Sequence, residues 1–530
     1  MRERRVRWES TWSFLAKRIE PKSASFKEIR EPGDFDKGFE KYDSTISYAV
    51  ETASKAVSGL MTPKTQKWHS VTFTDEYLAE KYKDYFQHAR DVLFRMRYSA
   101  RSNFSSANLE NIASVYGFGS GPFSVYEDYG RGLVYKAWPL KEFFVEADKY
   151  GFVDTFFRHF KLNTRQARQA FGKDVPAKIR DEKNLAKEWE FLHCVYPNED
   201  YRTNRKDLRG KKIASHYVSL DTKEIISSGG YDVSPFTYPR YSLMPSSGDP
   251  YGYSPAMLIM PEIRVLNTIM ADNLAVGNRA ASPSLLVSEE DFLDADKIGA
   301  SDAHIYGGLD SNSQPRVRPL IIPSNIPFAR EMILDLRDAI KNGYGLNLLQ
   351  IIQNNPNMTA TEVMQRAQEQ SALFSPQAER FEKERFSGQI EKEVEIGYRS
   401  NQIDPMPPEI AEALAARQGF FTIEYESPIT RSQKAGDGVA IMRTLESVNA
   451  LAAYDPSIKN EINAKRTLHI LSDIWGAPEK IFNSDAEKAV KDATDAQLAQ
   501  VNTMLAAAPV VAKSAKDLAA AQASGGSVTL

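Results

Sequence analysis

The chain has 530 residues, so several domains or sub-domains are expected, because single hydrophobic cores stop growing at roughly 250 to 300 residues. Its formal net charge of −3 argues against tight, counterion-driven DNA binding, so any contact with nucleic acid should be loose. With one cysteine, no signal peptide and no charge-free apolar run of about eighteen residues, the sequence excludes an intramolecular disulfide and predicts a reducing, cytoplasm-like compartment without membrane contact.

Residues 1–20 combine basic and aromatic side chains, which predicts an amphipathic helix. These side chains are Arg2, Arg4, Arg5, Arg7, Trp8, Trp12 and Phe14. The arginines could contact phosphate, but a solvated helix face is the favoured interpretation. Apolar positions then predict a helix over 39–60 that ends before Pro63, and a strand over 68–73.

A long helical stretch is predicted from Asp75 to about Tyr116, with a break near Asn103. The glycine-rich residues 117–121 that follow it resemble a phosphate-binding loop. Such loops come after a strand and before a helix, whereas here a helix comes first and a strand follows. A tight turn is therefore the better interpretation.

Alternating aromatic or β-branched and polar residues predict antiparallel strands over 123–160 and 188–228, separated by a helical segment over 163–187. Cys194 lies in an apolar run and is expected to be a buried, unreactive thiol. A predicted hairpin carries a basic cluster, Arg205, Lys206, Arg209, Lys211 and Lys212. A solvated turn is the default interpretation of that cluster, and a peripheral contact with protein or nucleic acid is the minority one.

Residues 254–281 read as one continuous helix that begins with Ser-Pro and would be roughly 40 Å long. Short apolar runs within a stretch rich in Gly, Asp, Asn and Ser predict a small β-rich insert over 284–323, and helical spacing returns over 328–340. Two helices that carry a small insert at their end form a stalk with a cap. Because so narrow a stalk has too little core to be stable alone, the sequence predicts that it packs against copies of itself.

A polar loop at 353–357 precedes a helix that starts at Thr359 with a capping box. The many charges of this helix, including Glu379 and Lys383 at i, i+4 spacing, predict a helix that is bathed in water or lines a wet channel. A short helix, a strand over 420–425 and further helices follow. The alanine-rich residues 484–523 lack large apolar side chains, which favours packing against neighbouring copies or partial disorder.

The motifs of the common enzyme classes are missing from the sequence. Neither Gly172-Lys173 nor Gly210-Lys211 belongs to a Walker nucleotide-binding motif, and no Gly-x-Ser-x-Gly elbow is present. The seven histidines are not spaced as zinc ligands with one another or with the cysteine. The sequence therefore predicts no catalytic residue, no metal and no cofactor, although a nuclease-like carboxylate cluster from distant positions stays an alternative.

Several segments, in this order, resemble those of a known family. They are 148–155 with Arg158, 251–255 leading into Leu266-Asn267, 358–363 with Arg366 and Glu369, Pro376 with Arg380 and Glu384, and 425–428 with Gln433-Lys434. Together they are similar to the head-to-tail connecting (portal) proteins of short-tailed phages, over nearly the whole chain. The residues after Pro428 depart from the pattern expected for the family. The resemblance therefore does not predict the fine structure of that segment.

The resemblance implies an α+β, mainly helical portal fold assembled as a ring. It assigns the chain, in order, to a wing (1–253), a first stem helix (254–281), a clip (282–326), a second stem helix (327–344), a tunnel loop with a long helix and the remaining wing (345–430), a crown (431–483) and a C-terminal helical barrel with a tail (484–530). The two stem helices coincide with the stalk inferred from the residues.

For function, the resemblance implies a portal protein, which forms the channel at one capsid vertex through which DNA is packaged and ejected and to which the tail attaches. The implied partners are copies of the chain, as a dodecamer, the terminase large subunit, the major capsid protein, the scaffolding protein, a tail adaptor and non-specific duplex DNA. The protein would be assembled in the host cytoplasm and reside in the virion.

The tunnel loop is the predicted DNA contact. Its amide side chains are Gln350, Gln353, Asn354, Asn355 and Asn357. Neutral amides suit a channel through which DNA slides, because a ring of lysines would grip the phosphates. Arg316 and Arg318 on the clip are candidates for contact with terminase or the tail adaptor. The alternatives are a DNA-processing enzyme, such as a nuclease or motor subunit, and a ring-forming tail adaptor.

Overall fold

A computed structural model describes part of the chain. The described residues are 1–20, 41–128, 132–203, 205, 207–242, 248–281, 285–287, 309, 314, 315, 317–319, 326–346, 374–416, 419–426, 428–451, 454, 455, 457, 461–475 and 491. They form a mixed α+β protein that divides into two compact units, residues 1–433 and 434–530.

The helices of the described part are numbered in chain order. They are α1 (Arg2–Ile19), α2 (Thr45–Met61), α3 (Glu76–Lys81), α4 (Lys83–Arg97), α5 (Phe104–Phe118), α6 (Thr164–Phe171), α7 (Ala177–Arg180), α8 (Pro255–Leu258), α9 (Met260–Ala281), α10 (Ile326–Gly343), α11 (Ser387–Arg399), α12 (Pro408–Ala415), α13 (Pro428–Leu451) and α14 (Ala464–Trp475). A π-helical turn, Glu382–Phe386, leads directly into α11.

The strands are numbered in the same way. They are β1 (His69–Phe73), β2 (Phe123–Asp128), β3 (Gly132–Ala137), β4 (Phe143–Ala147), β5 (Val153–Asn163), β6 (Glu188–Pro197), β7 (Ile213–Ser219), β8 (Glu224–Tyr231), β9 (Phe236–Thr237), β10 (Leu285–Val287), β11 (Val317–Pro319) and β12 (Phe421–Tyr425). All pairings among them are antiparallel.

The largest sheet is a meander in the order β4-β5-β6-β7-β8, as the alternating pattern predicts. The helical segment predicted between the two groups of strands forms α6 and α7, and Ile179 of α7 is buried beside Phe191 of β6 in a small separate core. Cys194 on β6 is half-buried, and this burial raises the pKa of its thiol to about 11, which keeps it neutral. The predicted hairpin with the basic cluster connects β6 to β7.

One face of the N-terminal helix α1 belongs to the main core, and the prediction of a solvated face is wrong for one of its arginines, Arg5. Trp12 is fully buried and donates a hydrogen bond from Nε1 to the Phe118 carbonyl at 3.1 Å. Arg5 is also buried and donates to the Phe143 carbonyl at 2.9 Å. The ring of Tyr251 packs edge-on against Trp12, at 5.3 Å between centroids. Aromatic burial and backbone acceptors therefore draw this basic helix inward.

The break predicted near Asn103 and the tight turn predicted at 117–121 are confirmed. Asn103 takes a left-handed conformation at the start of α5, and Gly119 takes one at its end with φ +85°. The turn meets the residues that lead into α8, because a Cβ atom at Gly119 would lie 2.1 Å from the Gly252 carbonyl oxygen. Only glycine permits this approach of two backbones.

The predicted continuous helix over 254–281 is interrupted at Ile259, between α8 and α9. Ser254 caps α8 by accepting a hydrogen bond from the Met257 amide, and Pro255 occupies the first turn, as the Ser-Pro pair predicts. The insert contains the antiparallel pair β10–β11, and α10 returns alongside α9. We call α8, α9 and α10 the stalk.

Residues 374–399, the described part of the charged helix predicted from Thr359, bury one face in the main core, so the prediction of a helix bathed in water is wrong for that face. Phe381, Phe386 and Ile390 are buried in the main core. Charged and amide groups are buried among them, namely Arg385, Gln389, Lys392 and Glu393. The pair Glu379–Lys383 is confirmed on the exposed face, at 2.7 Å. The capping box at Thr359 lies outside the described residues.

The strand predicted over 420–425 is confirmed as β12, which pairs with β1 from the other end of the chain. The predicted helix after it is α13, and α14 follows. Of the alanine-rich residues 484–523, the structure describes only Lys491, which is helical.

Candidate functional site at the base of the stalk

The predicted channel and clip residues lie mostly outside the described part of the chain. This holds for the five amide residues of the tunnel loop and for Arg316. Arg318 is described: it is exposed on β11, opposite Leu286 of β10. The candidate site that the structure does define is the region where the stalk joins the body.

The two long helices of the stalk lie against each other, and α10 also packs on α2 of the body. Their buried residues Ile263 and Leu266 of α9 and Ile333 and Ile340 of α10 belong to the main hydrophobic core. Arg337 of α10 forms an ion pair with Asp43 at 2.7 Å, just before α2. The base of the stalk is therefore anchored to the N-terminal helices.

The other faces of the stalk carry large apolar side chains that are exposed in the single chain. They are Leu258, Val265, Leu274, Met332 and Leu334. The exposed fractions of Leu258 and Leu274 are 66% and 52%. Single exposed apolar residues are common on protein surfaces, but several along one helical pair are typical of a surface that contacts another protein.

One buried arginine joins three segments where the chain enters the stalk, and we call this the Arg240 junction. Arg240 donates hydrogen bonds from Nε and Nη2 to the Glu384 carboxylate, at 2.7 to 3.1 Å. Its Nη2 also donates to the Gly151 carbonyl at 2.8 Å, and its Nη1 to the Pro250 carbonyl at 3.4 Å. The planar guanidinium group can satisfy all these acceptors at once, which lysine cannot.

A second buried ion pair connects α4 to α11. Arg97 donates from Nε to Oε1 of Glu393 at 3.2 Å and from Nη2 to Oε2, and both side chains are fully buried. Tyr135 and Gln389 donate further hydrogen bonds to Glu393 Oε1, at 2.8 and 2.7 Å. We call these four residues the Glu393 cluster. Because every donor converges on one carboxylate, the cluster fixes the relative positions of α4, β3 and α11.

His69 extends the Glu393 cluster. The Nη1 atom of Arg97 lies 2.8 Å from His69 Nε2, which must accept this hydrogen bond because the guanidinium group can only donate. Burial, together with the charge of Arg97, holds the pKa of His69 well below its ordinary value. For Arg97, burial alone would lower the pKa, but Glu393 and Tyr135 outweigh it and the pKa is raised. Arg97 is therefore charged and His69 neutral near pH 7.

Arg385 is a second fully buried arginine beside this cluster, and it has no such partner. Its Nε, Nη1 and Nη2 atoms make no hydrogen bond within the described ranges. The guanidinium group lies over the Phe123 ring, 4.1 Å from its centroid. Burial lowers the pKa of Arg385 to about 9. An unpaired buried cation of this kind lowers the stability of the fold.

We therefore expect Arg385→Met to leave stability unchanged or to raise the free energy of unfolding by about 1–4 kcal/mol, since it replaces a buried charge by an apolar chain of similar length. The matched control is Arg97→Met, which removes a paired cation that is also fully buried and should lower stability by about 3–5 kcal/mol. Urea unfolding followed by tryptophan fluorescence measures both. Equal losses for the two variants would contradict this account of Arg385.

The π-helical turn that carries Arg385 also binds β12. The extra residue in the turn lets the Glu382 carbonyl accept hydrogen bonds from the Tyr425 and Ser387 hydroxyl groups, both at 3.1 Å. Burial and the nearby Glu379 charge raise the pKa of the Glu382 carboxyl to about 7. Such turns inside α-helices occur frequently at functional sites. Here the turn places Glu384, Arg385 and the Glu382 carbonyl against three different neighbours.

The sequence reasoning missed the Arg240 junction and the Glu393 cluster. A signal for the cluster was available, because Gln389 and Glu393 lie one helical turn apart among Phe386, Ile390 and Ile396, on a face that should be apolar. Polar groups at such positions require buried partners. The identity of the partner, Arg97, has no local signal.

The described residues show buried ion pairs and exposed apolar side chains, and no metal centre. Among them, His, Cys, Asp and Glu side chains do not gather in groups of three or more that could hold a metal ion. Nor does any described helix have the length and apolar character needed to cross a bilayer.

Comparison with known proteins gives one family. The model of the family described as "Bacteriophage head to tail connecting protein" matches residues 1–482. Among similar proteins, the "Portal protein" of Salmonella phage epsilon15 is 23% identical over 541 residues, which cover 99% of this chain and 94% of the relative. The "Probable portal protein" of Bordetella phage BPP-1 is 23% identical over 497 residues, which cover 91% of this chain and 87% of the relative.

Proposed function

Because the chain belongs to the bacteriophage head-to-tail connecting protein family, we propose that it is the portal protein of a phage, which forms the channel at one capsid vertex for DNA packaging and ejection and holds the tail. The observation that carries this proposal is the extent of the match. It runs through residues 1–482 and therefore covers the body and the stalk, not a single module. The chain also covers 94% and 87% of two relatives named as portal proteins.

A ring of identical subunits is the proposed assembly, with twelve as the expected number. The stalk supports it, because α9 and α10 leave the large apolar side chains of Val265, Leu274 and Leu334 exposed. A cyclic ring buries such surfaces in repeated contacts between different faces of neighbouring copies. Each subunit would then gain from its neighbours the apolar burial that the stalk lacks.

The proposed division of the chain rests on the resemblance to the family. Residues 1–253 form the wing, and the stalk is the stem that leads to the clip at 282–326. Residues 345–430 contribute the tunnel loop, the long helix and the rest of the wing. The pairing of β1 with β12 supports the last part of this assignment, since it brings 421–425 into the N-terminal body. The crown at 431–483 and the helical barrel at 484–530 complete the ring.

In the proposed mechanism the protein is a conduit and not an enzyme, and the energy for DNA movement comes from the terminase. The tunnel loop contributes neutral amides at Gln350, Gln353, Asn354, Asn355 and Asn357, which avoid the deep binding wells that a ring of cations would create. The net charge of −3 is consistent with loose contact with DNA. The DNA contact is non-specific, as a channel that passes a whole genome requires.

The proposed protein partners occupy different parts of the ring. Arg316 and Arg318 on the clip contact the terminase large subunit during packaging and the tail adaptor afterwards. The exposed position of Arg318 on β11 supports this role. The wing contacts the major capsid protein and, during assembly in the host cytoplasm, the scaffolding protein. The finished protein is a component of the virion.

Electron microscopy of the purified protein tests this proposal, and we expect rings with an axial hole. We further expect Leu274→Asp to raise the concentration needed for half-assembly at least about tenfold, because a charge in a subunit contact costs on the order of 1.4 kcal/mol or more. Leu185→Asp is the matched control, since Leu185 and Leu274 are both 52% exposed and Leu185 lies outside the stalk. A wild-type chain that stays monomeric at every concentration, or that cleaves DNA with Mg²⁺, would refute the proposal.

A further inference from the structure

The turn between β4 and β5 displays two exposed aromatic side chains. They are Tyr150 and Phe152, with 73% and 51% of their surfaces exposed. We call residues 148–152 the aromatic turn. Large aromatic side chains on a surface are the residues that contribute most to protein contacts, because they bury much area and lose little conformational entropy.

The aromatic turn is rigid. The Asp148 carboxylate accepts hydrogen bonds from the amides of Tyr150 and Phe152, both at 2.9 Å. The Asp148 amide donates to the Phe152 carbonyl at 2.7 Å, and Gly151 provides the positive φ of +89° that closes the turn. The backbone that carries the two aromatic side chains is therefore held in place before any partner binds, which lowers the entropic cost of binding.

The aromatic turn is also connected to the entrance of the stalk. The Gly151 carbonyl and the Pro250 carbonyl both accept hydrogen bonds from the Arg240 guanidinium group, which is almost completely buried. Residue 250 lies five positions before α8, and α8 ends at Leu258, which is 66% exposed. One buried side chain thus holds both the backbone of the aromatic turn and the segment that leads into α8.

The charges around the aromatic turn favour a protein partner over DNA. One acidic residue, Asp148, lies in the turn, and Glu146 and Asp154 lie near it in the sequence; of these three, Glu146 is paired with Arg4 at 2.8 Å. Burial, with the charges of Asp148 and Glu146, raises the pKa of the Asp154 carboxyl. Lys149 lies over the Tyr150 ring, 4.8 Å from its centroid. Phosphate groups would meet net negative charge here, whereas an apolar protein surface would meet aromatic rings.

We propose that the aromatic turn docks on the neighbouring copy of this chain, as a second contact between subunits beside the stalk. The inference rests on the proposed ring. A second copy is the occupant because Arg240 ties the turn to the segment that leads into the stalk, whose exposed apolar side chains meet the neighbour in that ring. In a cyclic assembly each contact joins two different surfaces. The aromatic turn of one subunit therefore meets a surface of the next subunit other than that subunit's aromatic turn.

Cysteine labelling can test this contact, because the background is low. The natural Cys194 is half-buried, and burial raises the pKa of its thiol to about 11, so it reacts slowly with maleimide. We would introduce Tyr150→Cys and, as a control of equal exposure, Tyr77→Cys on α3, where the natural residue is 71% exposed. Each full-length variant is separated by size into free and assembled fractions, and the labelling rate is measured in both.

We expect the labelling rate of Tyr150→Cys to fall at least tenfold on assembly and that of Tyr77→Cys to change less than twofold. If Tyr150→Cys folds with the wild-type circular dichroism spectrum but assembles poorly, loss of assembly also supports the contact, provided that Tyr77→Cys assembles normally. Equal labelling of Tyr150→Cys in free and assembled fractions overturns the inference and leaves the ring intact. Protection that appears only after the capsid protein is added overturns it in favour of that partner. Failure of the wild type to assemble refutes the proposed function itself.

Discussion

Replacing Glu393 by glutamine should lower the free energy of unfolding by about 3–5 kcal/mol, the cost of leaving a buried charge without its partner. Glu393 is the carboxylate that pairs with the fully buried Arg97, and it also faces the unpaired Arg385. The neutral amide keeps the shape of the side chain, so the loss reports on charge and not on a cavity. Urea unfolding followed by tryptophan fluorescence suits the measurement, since Trp68 lies 4.6 Å from the Arg97 guanidinium group.

The control for this substitution lies on the same run of helix. Glu379 pairs with Lys383 at 2.7 Å, but both side chains are more than 60% exposed, and Glu379→Gln should cost less than about 1 kcal/mol. The double replacement Arg97→Met with Glu393→Leu should lose less than Glu393→Gln alone, because it leaves no unpaired charge at this pair. Similar losses for Glu393→Gln and Glu379→Gln would show that burial does not decide the strength of these pairs.

Arg240→Ala should also lower the free energy of unfolding by about 3–5 kcal/mol, because it leaves the buried Glu384 carboxylate unpaired. It also removes the donors to the Gly151 and Pro250 carbonyl groups, so we expect faster amide hydrogen exchange in residues 148–152 and 250–258. Hydrogen exchange with mass spectrometry measures this local effect. Arg240→Lys should restore little of the lost free energy of unfolding or of the protection from exchange, since an ammonium group cannot reach all the acceptors in their planar arrangement.

Arg399→Ala is the control for the Arg240 junction. Arg399 pairs with Glu127 at 2.5 Å, but its side chain is 56% exposed, so its loss should cost less than about 1 kcal/mol and leave exchange in both segments unchanged. If Arg240→Ala accelerated exchange throughout the body and not at the two segments, the junction would be a general stability element without a local role at the stalk.

The sequence predicted the elements of the body well where local patterns determine them. Alternation of apolar and polar residues predicted the strands of the meander, and Ser254-Pro255 predicted the start of α8. The interruption at Ile259 escaped prediction, because apolar spacing continues unchanged through it. The pairing of β1 with β12 could not be predicted either, since the two strands are more than 340 residues apart and nothing local specifies the partner.

The candidate site was much less predictable. Charges in the helical residues 374–399 suggested a wet surface, because charged residues are seldom fully buried. Arg385 and Glu393 are the exceptions, and the partner of Glu393, Arg97, lies 296 residues away. Apolar spacing predicted the helices of the stalk, which form as α8, α9 and α10, and their role as a stem stays a prediction. That the amide side chains within 350–357 line the channel stays a prediction, and so does the role of Arg316.

Because Gly343 has no side chain, the end of α10 can approach the residue between α8 and α9 closely. A Cβ atom there would lie 2.5 Å from the Ile259 methyl group at the interruption between α8 and α9. The end of α10 is therefore in close contact with Ile259, and we expect the methyl group of a Gly343→Ala variant to push the two apart. Because the displacement caused by a small tilt grows with distance along a helix, one methyl group at the base would move the far end of α10 by more than it moves the residues in contact.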